Sequence, residues 1–344
     1  MPVPPIPTGH CIYETNMSSF SHYHLSSKLK SRLKLLGLYR VVAYSLILIA
    51  GIYVLAPKVF SGQYNGFNIG QSPLIPLAQI HHGAPPKDGI PSIDNPIFIS
   101  STAANYLDES DRVIGLVTQG GARAYPIRIL NWHEIVNDDD VVVSYCPLCG
   151  TGMAFHSPAA NFGVSGLLYN SDMLLYDRET ESLWSQILGK AISGERKGEL
   201  LKVLAVENTS WLNWRQNHPN TRVLSDQTGF SRIYSRSPYG NYDSNTSLYF
   251  PLSHQSRRYH PKEKVIGLLL NGVHKAYPFI ELDKSTSSVI HDKIGGVDIE
   301  VHFNSQHRSG IIKLSSGKPL PSLTSYWFAW YAFHPETEIF TFEK

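Results

Sequence analysis

Two cysteines three positions apart, Cys146 and Cys149 in a Cys-Pro-Leu-Cys-Gly run, are the residues of this 344-residue chain best suited to chemistry. The proline and glycine around them favour a tight turn that aims both sulfurs at one point, and two thiolates on a turn suit a soft transition metal. Zinc normally takes four ligands, and no second Cys-x-x-Cys exists in the chain. Copper(I) is satisfied by fewer ligands, which places copper before zinc. His133, in Asn131-Trp132-His133-Glu134, is the candidate third ligand or the partner that orients one. Its segment has helical spacing and precedes the strand that delivers Cys146, so a helix packed back on that strand can bring the imidazole to the strand's end. His156 and Met153 are weaker candidates, because a lone histidine is usually a satisfied core or surface residue and a methionine beside an apolar strand is usually filler.

The same pair supports a second reading, a thiol–disulfide oxidoreductase. In that class the first cysteine is activated at a helix N-terminus, whereas the residues after Cys149 read as strand. A third reading is a non-catalytic binding module in which the pair forms an inert disulfide, although so close a pair closes a very small loop and staples little. Cys11 is the only other cysteine. The stretch 170–184 is dense in polar groups and offers Asp172 and Asp177 as acid/base residues or hard-metal ligands, with Arg178 to receive a carboxylate or phosphate. The plainer reading of that stretch is turn chemistry and an Asp–Arg ion pair. On the metal hypothesis Asp177 and Arg178 buttress the thiol loop.

What must position these residues is an internally repeated framework. Val113-Ile114-Gly115-Leu116, Gly120 and Ala124-Tyr125-Pro126 recur as Val265-Ile266-Gly267-Leu268, Gly272 and Ala276-Tyr277-Pro278, all at an offset of 152 residues. Trp211, Trp214, His218-Pro219 and Thr221 recur as Trp327, Trp330, His334-Pro335 and Thr337 at an offset of 116. The difference lies between Pro126 and Trp211, the interval that holds the cysteines, so the scaffold is doubled and the thiols are not. One long period of this kind means two related halves rather than a solenoid. Each half predicts a β-hairpin (112–118 with 123–127, and its copy around Asn271-Gly272), then a short helix, 129–136 in the first half, then strands. A strand over 141–145 runs into the thiol motif. Short strands follow at 153–155, 162–168, 173–176 and 183–187, and Thr209-Ser210 can cap a helix carrying Trp211 and Trp214. The predicted fold is α+β with β dominant, a tandem duplication of a hairpin–helix–strand unit preceded by one transmembrane helix.

Composition is that of a chain with a sizeable core, 42% hydrophobic and 17% charged. A net charge of +2 with no basic stripe argues against nucleic acid as a partner. The run 41–56 carries no charge and, counted from Leu38, approaches the ~20 residues that span a bilayer. Lys28, Lys30, Arg32, Lys34 and Arg40 precede it against Glu14 alone, so the positive-inside rule puts the N-terminus in the cytoplasm and the bulk of the chain outside. The expected organisation is a basic cytoplasmic tail (1–37), a single-pass anchor in the cell or inner membrane (38–56), a proline-rich extended arm (57–105), a first copy with the thiol site (106–225) and a scaffold copy (226–344). The membrane is one partner. A protein partner or metal donor is compatible with such an arrangement.

From about Gln79 onward the chain resembles an uncharacterised family, domain of unknown function 3179. The likeness is carried by PKDGIP from Pro86 to Pro91, NWHE from Asn131 to Glu134, YCPLCGT from Tyr145 to Thr151, FGVSGL from Phe162 to Leu167 and YDRETESLW from Tyr176 to Trp184. The resemblance implies that His133, Cys146, Cys149, Asp177 and Arg178 match family motif positions, and it implies no activity. The chain differs at His156, where a family-like aspartate is expected.

Overall fold

The computed structural model describes residues 63–70, 72–157 and 161–342, and the apolar run 41–56 lies outside them. Among the described residues no helix is long and apolar enough to cross a membrane. The molecule is β-dominant α+β: among the described residues four short α-helices, Ile127–His133, Trp211–Asn217, Phe279–Leu282 and Trp327–Phe333, are set among many strands.

The hairpin Arg112–Thr118 and Gly121–Pro126 runs in register from Val113↔Pro126 to Thr118↔Gly121. Strand Val206–Ser210 pairs with its first strand, ending at Ser210↔Arg112, and strand Arg222–Leu224 adds in parallel to its second. Ser210 then caps the helix Trp211–Asn217, its side chain accepting the N–H of Asn213. A second set of elements is built in the same way. Hairpin Lys264–Leu270 and Val273–Pro278 runs from Val265↔Pro278 to Leu270↔Val273. Its Asn271-Gly272 loop has positive φ at both residues, as a type I′ turn requires. Strand Leu323–Tyr326 pairs with its first strand, ending at Tyr326↔Lys264, and Glu338–Ile339 adds in parallel to its second.

In both sets a glycine is dictated by an indole. A Cβ on Gly115 would lie 2.2 Å from the Trp214 ring, and one on Gly267 would lie 2.1 Å from Trp330. Each indole N–H is in turn satisfied by a threonine, Trp214 by Thr221 and Trp330 by Thr337, both at 2.9 Å. Matched tyrosines close the parallel: Tyr125 donates to Asp138 at 2.5 Å and Tyr277 to Asp292 at 2.8 Å.

The first helix spans Ile127–His133, two residues upstream of the predicted segment. It stops because Glu134 takes φ 57, outside the helical region, and the chain turns into strand Ile135–Asp138. That strand, Val141–Cys146 and Thr151–His156 form an antiparallel meander in which Cys146 faces Thr151 across the thiol turn. Strand Leu323–Tyr326 joins this meander to the second hairpin through Thr324↔Gly152, giving one mixed sheet that crosses between the two sets. The strands Phe162–Tyr169, Asp172–Asp177, Leu183–Ser185 and Lys190–Ala191 form a separate sheet.

The proline-rich segment, expected as an extended arm, is woven into the body instead. Ile80–His82 forms the edge of the sheet containing Phe162–Tyr169, and Phe98–Ser100 pairs with Arg222–Leu224. Phe67, Ile69, Ile75 and Ile80 are buried in one cluster with Leu174 and Tyr176. Prolines prevent long strands there without preventing burial, and apolar side chains between them still gain by leaving water.

Candidate metal centre

Both thiols sit in the largest hydrophobic cluster and are buried, unpaired by a disulfide. Gly150 ends their turn with φ 61, and the Tyr326 ring presses against it, 2.8 Å from where a Cβ would stand. A side chain is excluded there twice, by conformation and by space. The carbonyl of Cys149 accepts the backbone N–H of Tyr326 at 2.8 Å, which fixes the turn against the start of the last helix.

A second tight turn meets the first. Asn170 and Ser171 both have positive φ between strands Phe162–Tyr169 and Asp172–Asp177, and this aims the Ser171 carbonyl at the sulfurs. It accepts from Cys149 Sγ at 3.2 Å and from Cys146 Sγ at 3.7 Å. Asp172 follows directly, fully buried. One sulfur each from Cys146 and Cys149 and one carboxylate oxygen from Asp172 lie within 4.8 Å of one another, a group that could hold a metal ion.

The electrostatics of the trio are those of a site short of positive charge. Asp172 Oδ2 accepts the N–H of Ile187 at 3.1 Å and the Ser185 hydroxyl at 3.5 Å, whereas Oδ1 is buried without a hydrogen-bond partner. Burial pushes the Asp172 carboxyl up to about 8 against those two donors, the N–H of Met173 and the Cys149 thiol. Burial first, then the neighbouring Cys146 and Asp172, push the Cys149 thiol well above its ordinary value. Without a cation burial favours the protonated forms of Asp172 and Cys149; a bound cation would replace those protons.

His133 is not in this group. Its ring is buried, with Nδ1 at 2.8 Å from the Pro91 carbonyl and Nε2 at 2.7 Å from the Tyr234 hydroxyl, so both nitrogens are engaged elsewhere and the third position belongs to Asp172. Asp177 is also outside it. Its carboxylate accepts the N–H and hydroxyl of Thr180 at 2.7 and 2.8 Å and the Trp184 indole at 2.9 Å, which is turn chemistry. Arg178 donates to Ser92 at 2.9 Å and to Tyr176 at 3.2 Å and lies 3.4 Å from Asp88, tying the 86–94 segment to the sheet. Neither makes a hydrogen bond or ion pair with the thiol turn 146–150 among the described residues. His156 is half-exposed, 3.4 Å from Asp140, and Met153 packs in the core.

On one side of the thiol turn lies a cavity of about 520 Å³, lined mainly by apolar groups including Pro85, Ile90, Leu168 and Phe250. Cys146 and Glu134 also line it. Glu134 is buried, its carboxyl raised by burial to about 7, partly offset by the Tyr239 hydroxyl that donates to it at 2.8 Å. Sequence reasoning singled out neither Glu134 nor Tyr239; Glu134 lies in the Asn131–Glu134 motif, and its non-helical φ is invisible without coordinates.

No curated protein and no solved structure matches the chain. A family model does, over residues 87–318, a stretch that takes in both turns of the thiol site. The chain belongs to that family, described as proteins of unknown function (DUF3179).

Proposed function

We propose that this chain is a metal-binding protein whose ion is held by Cys146, Cys149 and Asp172. The observation that carries the reading is the buried Asp172 oxygen without a hydrogen-bond partner in a trio with two thiols. A buried acceptor left unpaired costs about 1–3 kcal/mol, which a cation there would recover. The carboxylate also reorders the ions: copper(I) is served by sulfur alone, whereas two thiolates and a carboxylate are a zinc set. Zinc therefore leads, with copper behind it.

Three protein ligands leave one position of a tetrahedral ion open, the arrangement of catalytic rather than structural zinc. Cys146 borders the apolar cavity, so that position would receive a small molecule with an apolar body, and Glu134 is the group on the cavity wall able to take or give a proton near neutrality. Thiol–disulfide exchange is disfavoured, because both thiols are buried and a strand, Thr151–His156, follows the motif in place of the helix whose N-terminus would activate its first cysteine. The matched registers and Trp–Gly contacts of the two hairpin sets support reading them as copies of one unit. The flanking charges of 41–56 support a single-pass anchor with the thiol region outside the cytoplasm.

The test is elemental analysis of the full-length chain purified without chelator, beside Cys146→Ser, Cys149→Ser and Asp172→Asn. Stoichiometric zinc lost in both cysteine variants and held more weakly in Asp172→Asn supports the proposal. A metal-free wild type that takes up neither zinc nor copper(I), or one whose metal survives all three changes, overturns it.

A further inference from the structure

On the other side of the thiol turn, bordered by Pro147 and Gly150, is a second cavity of about 380 Å³ with a different character. Arg112 and Lys264 both line it. They stand at matched positions of the repeated sequence, each one residue before a Val-Ile-Gly-Leu run, and each is the last pairing of its hairpin with a following strand, Ser210↔Arg112 and Tyr326↔Lys264. Two cations from corresponding places thus converge on one space.

Neither is neutralised. Among the described residues no carboxylate oxygen lies within 4.0 Å of a nitrogen of either side chain, and Glu207 acts on Arg112 from beyond that distance. The terminal nitrogens of Arg112 donate to carbonyls, to His307 at 2.5 Å, Asn208 at 2.6 Å and Arg308 at 3.0 Å, and its Nε is buried without a partner. The ammonium of Lys264 has no hydrogen bond or ion pair from the described residues. Burial and then the Arg112 and Arg308 charges draw it down to about 7, with Asp243 and Glu263 pulling it back from beyond ion-pair distance. Burial likewise takes Arg112 to about 10.

Lys262 shows what a purely structural lysine looks like two residues away. Its ammonium is saturated by carbonyls of Tyr242, of Asn245 at 3.0 Å and of Ser247 at 2.9 Å, and it lies 3.4 Å from the centre of the Tyr242 ring. It holds the loop that brings Tyr242 and Asp243 to the cavity. The Tyr242 hydroxyl is buried with no hydrogen-bond partner, and burial keeps it and the lining Tyr326 protonated, so both remain donors.

A partly buried pair of cations, a spare Nε–H and the unpartnered Tyr242 hydroxyl around one cavity are an incomplete hydrogen-bond set with one missing member, a small acceptor of negative charge. Retaining unpaired buried charge is costly unless something completes it. Two carboxylates stand on the wall: Asp111 is engaged by Arg128 at 2.7 Å, and Asp243 stays outside contact with either cation. We propose that this cavity is a binding site for a small oxyanion, a phosphate or carboxylate group held between Arg112 and Lys264 with tyrosine hydroxyls completing the donors. Planar guanidinium and point-like ammonium are the usual pair for such a group, and charge-assisted bonds supply most of the affinity.

The test titrates inorganic phosphate into the full-length protein by calorimetry and thermal melting, with chloride adjusted to hold ionic strength constant. Wild type is expected to bind saturably at one site and to melt higher as phosphate rises. Lys264→Met should weaken binding at least about tenfold while Lys264→Arg stays within about threefold of wild type, because charge rather than shape is removed in the first. Lys264→Met should also melt no lower than wild type without phosphate; Lys264→Gln replaces it as the charge-removing variant if it fails to fold. The zinc content of each variant should match wild type, which separates this site from the thiol centre. Absence of a saturable response in wild type, or an equal response in the charge-removing variant, overturns the proposal.

Discussion

The thiol of Cys149 donates to the carbonyl of Ser171 at 3.2 Å, and the next residue along the chain is Asp172. Two tight turns from different sheets are thereby locked face to face, one bringing two sulfurs and the other a carboxylate. The site is a product of that meeting rather than of the cysteine motif alone.

Loss of metal should follow ligand identity. Cys146→Ser and Cys149→Ser should abolish stoichiometric zinc, and Asp172→Asn should weaken it by at least about tenfold, since amide oxygen carries no charge to replace a proton. Competition with a chromogenic chelator reads all three. Unchanged affinity in Asp172→Asn would remove the carboxylate from the ligand set.

Stability of the metal-free chain should decline as pH rises from about 4 to about 8. Asp172 titrates at about 8 in the fold against an ordinary 3.8, and Glu134 at about 7 against 4.5. Between those values the folded chain holds protons that the unfolded chain has released, so each group can contribute a loss of up to about 1.4 kcal/mol per pH unit. Asp172→Asn should therefore melt above wild type at pH 8 and level with it at pH 4. Lys264 has the opposite sign: held at about 7 against 10.5, it is deprotonated in the fold while the unfolded chain is still charged, so its share of stability grows as pH rises above 7. Melting curves of wild type, Asp172→Asn and Lys264→Met from pH 4 to pH 10 separate the two slopes.

His133→Gln should leave the metal content intact and destabilise the fold. Both nitrogens of the buried ring have half-buried partners, Pro91 and Tyr234, and stranding them costs about 1–3 kcal/mol. A fall in zinc stoichiometry without a fall in melting temperature would return the histidine to the ligand set.

Gly115→Ala and Gly267→Ala should each lower stability by about 1–3 kcal/mol or more, because the new methyl group meets a buried indole that has no room to retreat. Denaturant midpoints measure this, and similar losses at both positions are expected from the similar contacts.

Much of this was legible because local signals agreed with the final packing. Val141–Cys146, Thr151–His156 and Phe162–Tyr169 sit where alternation and turn residues put them, and Ser210 caps its helix as its type and position suggest. The cysteines were legible for the same reason, since Pro and Gly specify their turn. Asp172 was only half legible. Its residue type admitted a hard-metal role, but Asp177 five residues on looked equally good, and only the pairing of strands decides that Asp172 meets the thiols while Asp177 folds back on Thr180. His133 misled because a helix beside the motif strand can present its imidazole in either direction, and nothing local fixes which. Arg112 and Lys264 did leave a signal, a basic residue before each of the two Val-Ile-Gly-Leu runs, which gains meaning only once both are seen to line one cavity.

The link between the Cys149 carbonyl and the Tyr326 N–H has a consequence for biosynthesis. Tyr326 leaves the ribosome about 180 residues after the cysteines, a lag of roughly ten to forty seconds at about 5–20 residues per second. Until then the sulfur-bearing turn lacks its lid and its neighbouring strand. The nascent chain therefore holds its sulfur-bearing turn against the Ser171 loop alone for about half of its translation, before Tyr326 arrives to close the contact at Gly150.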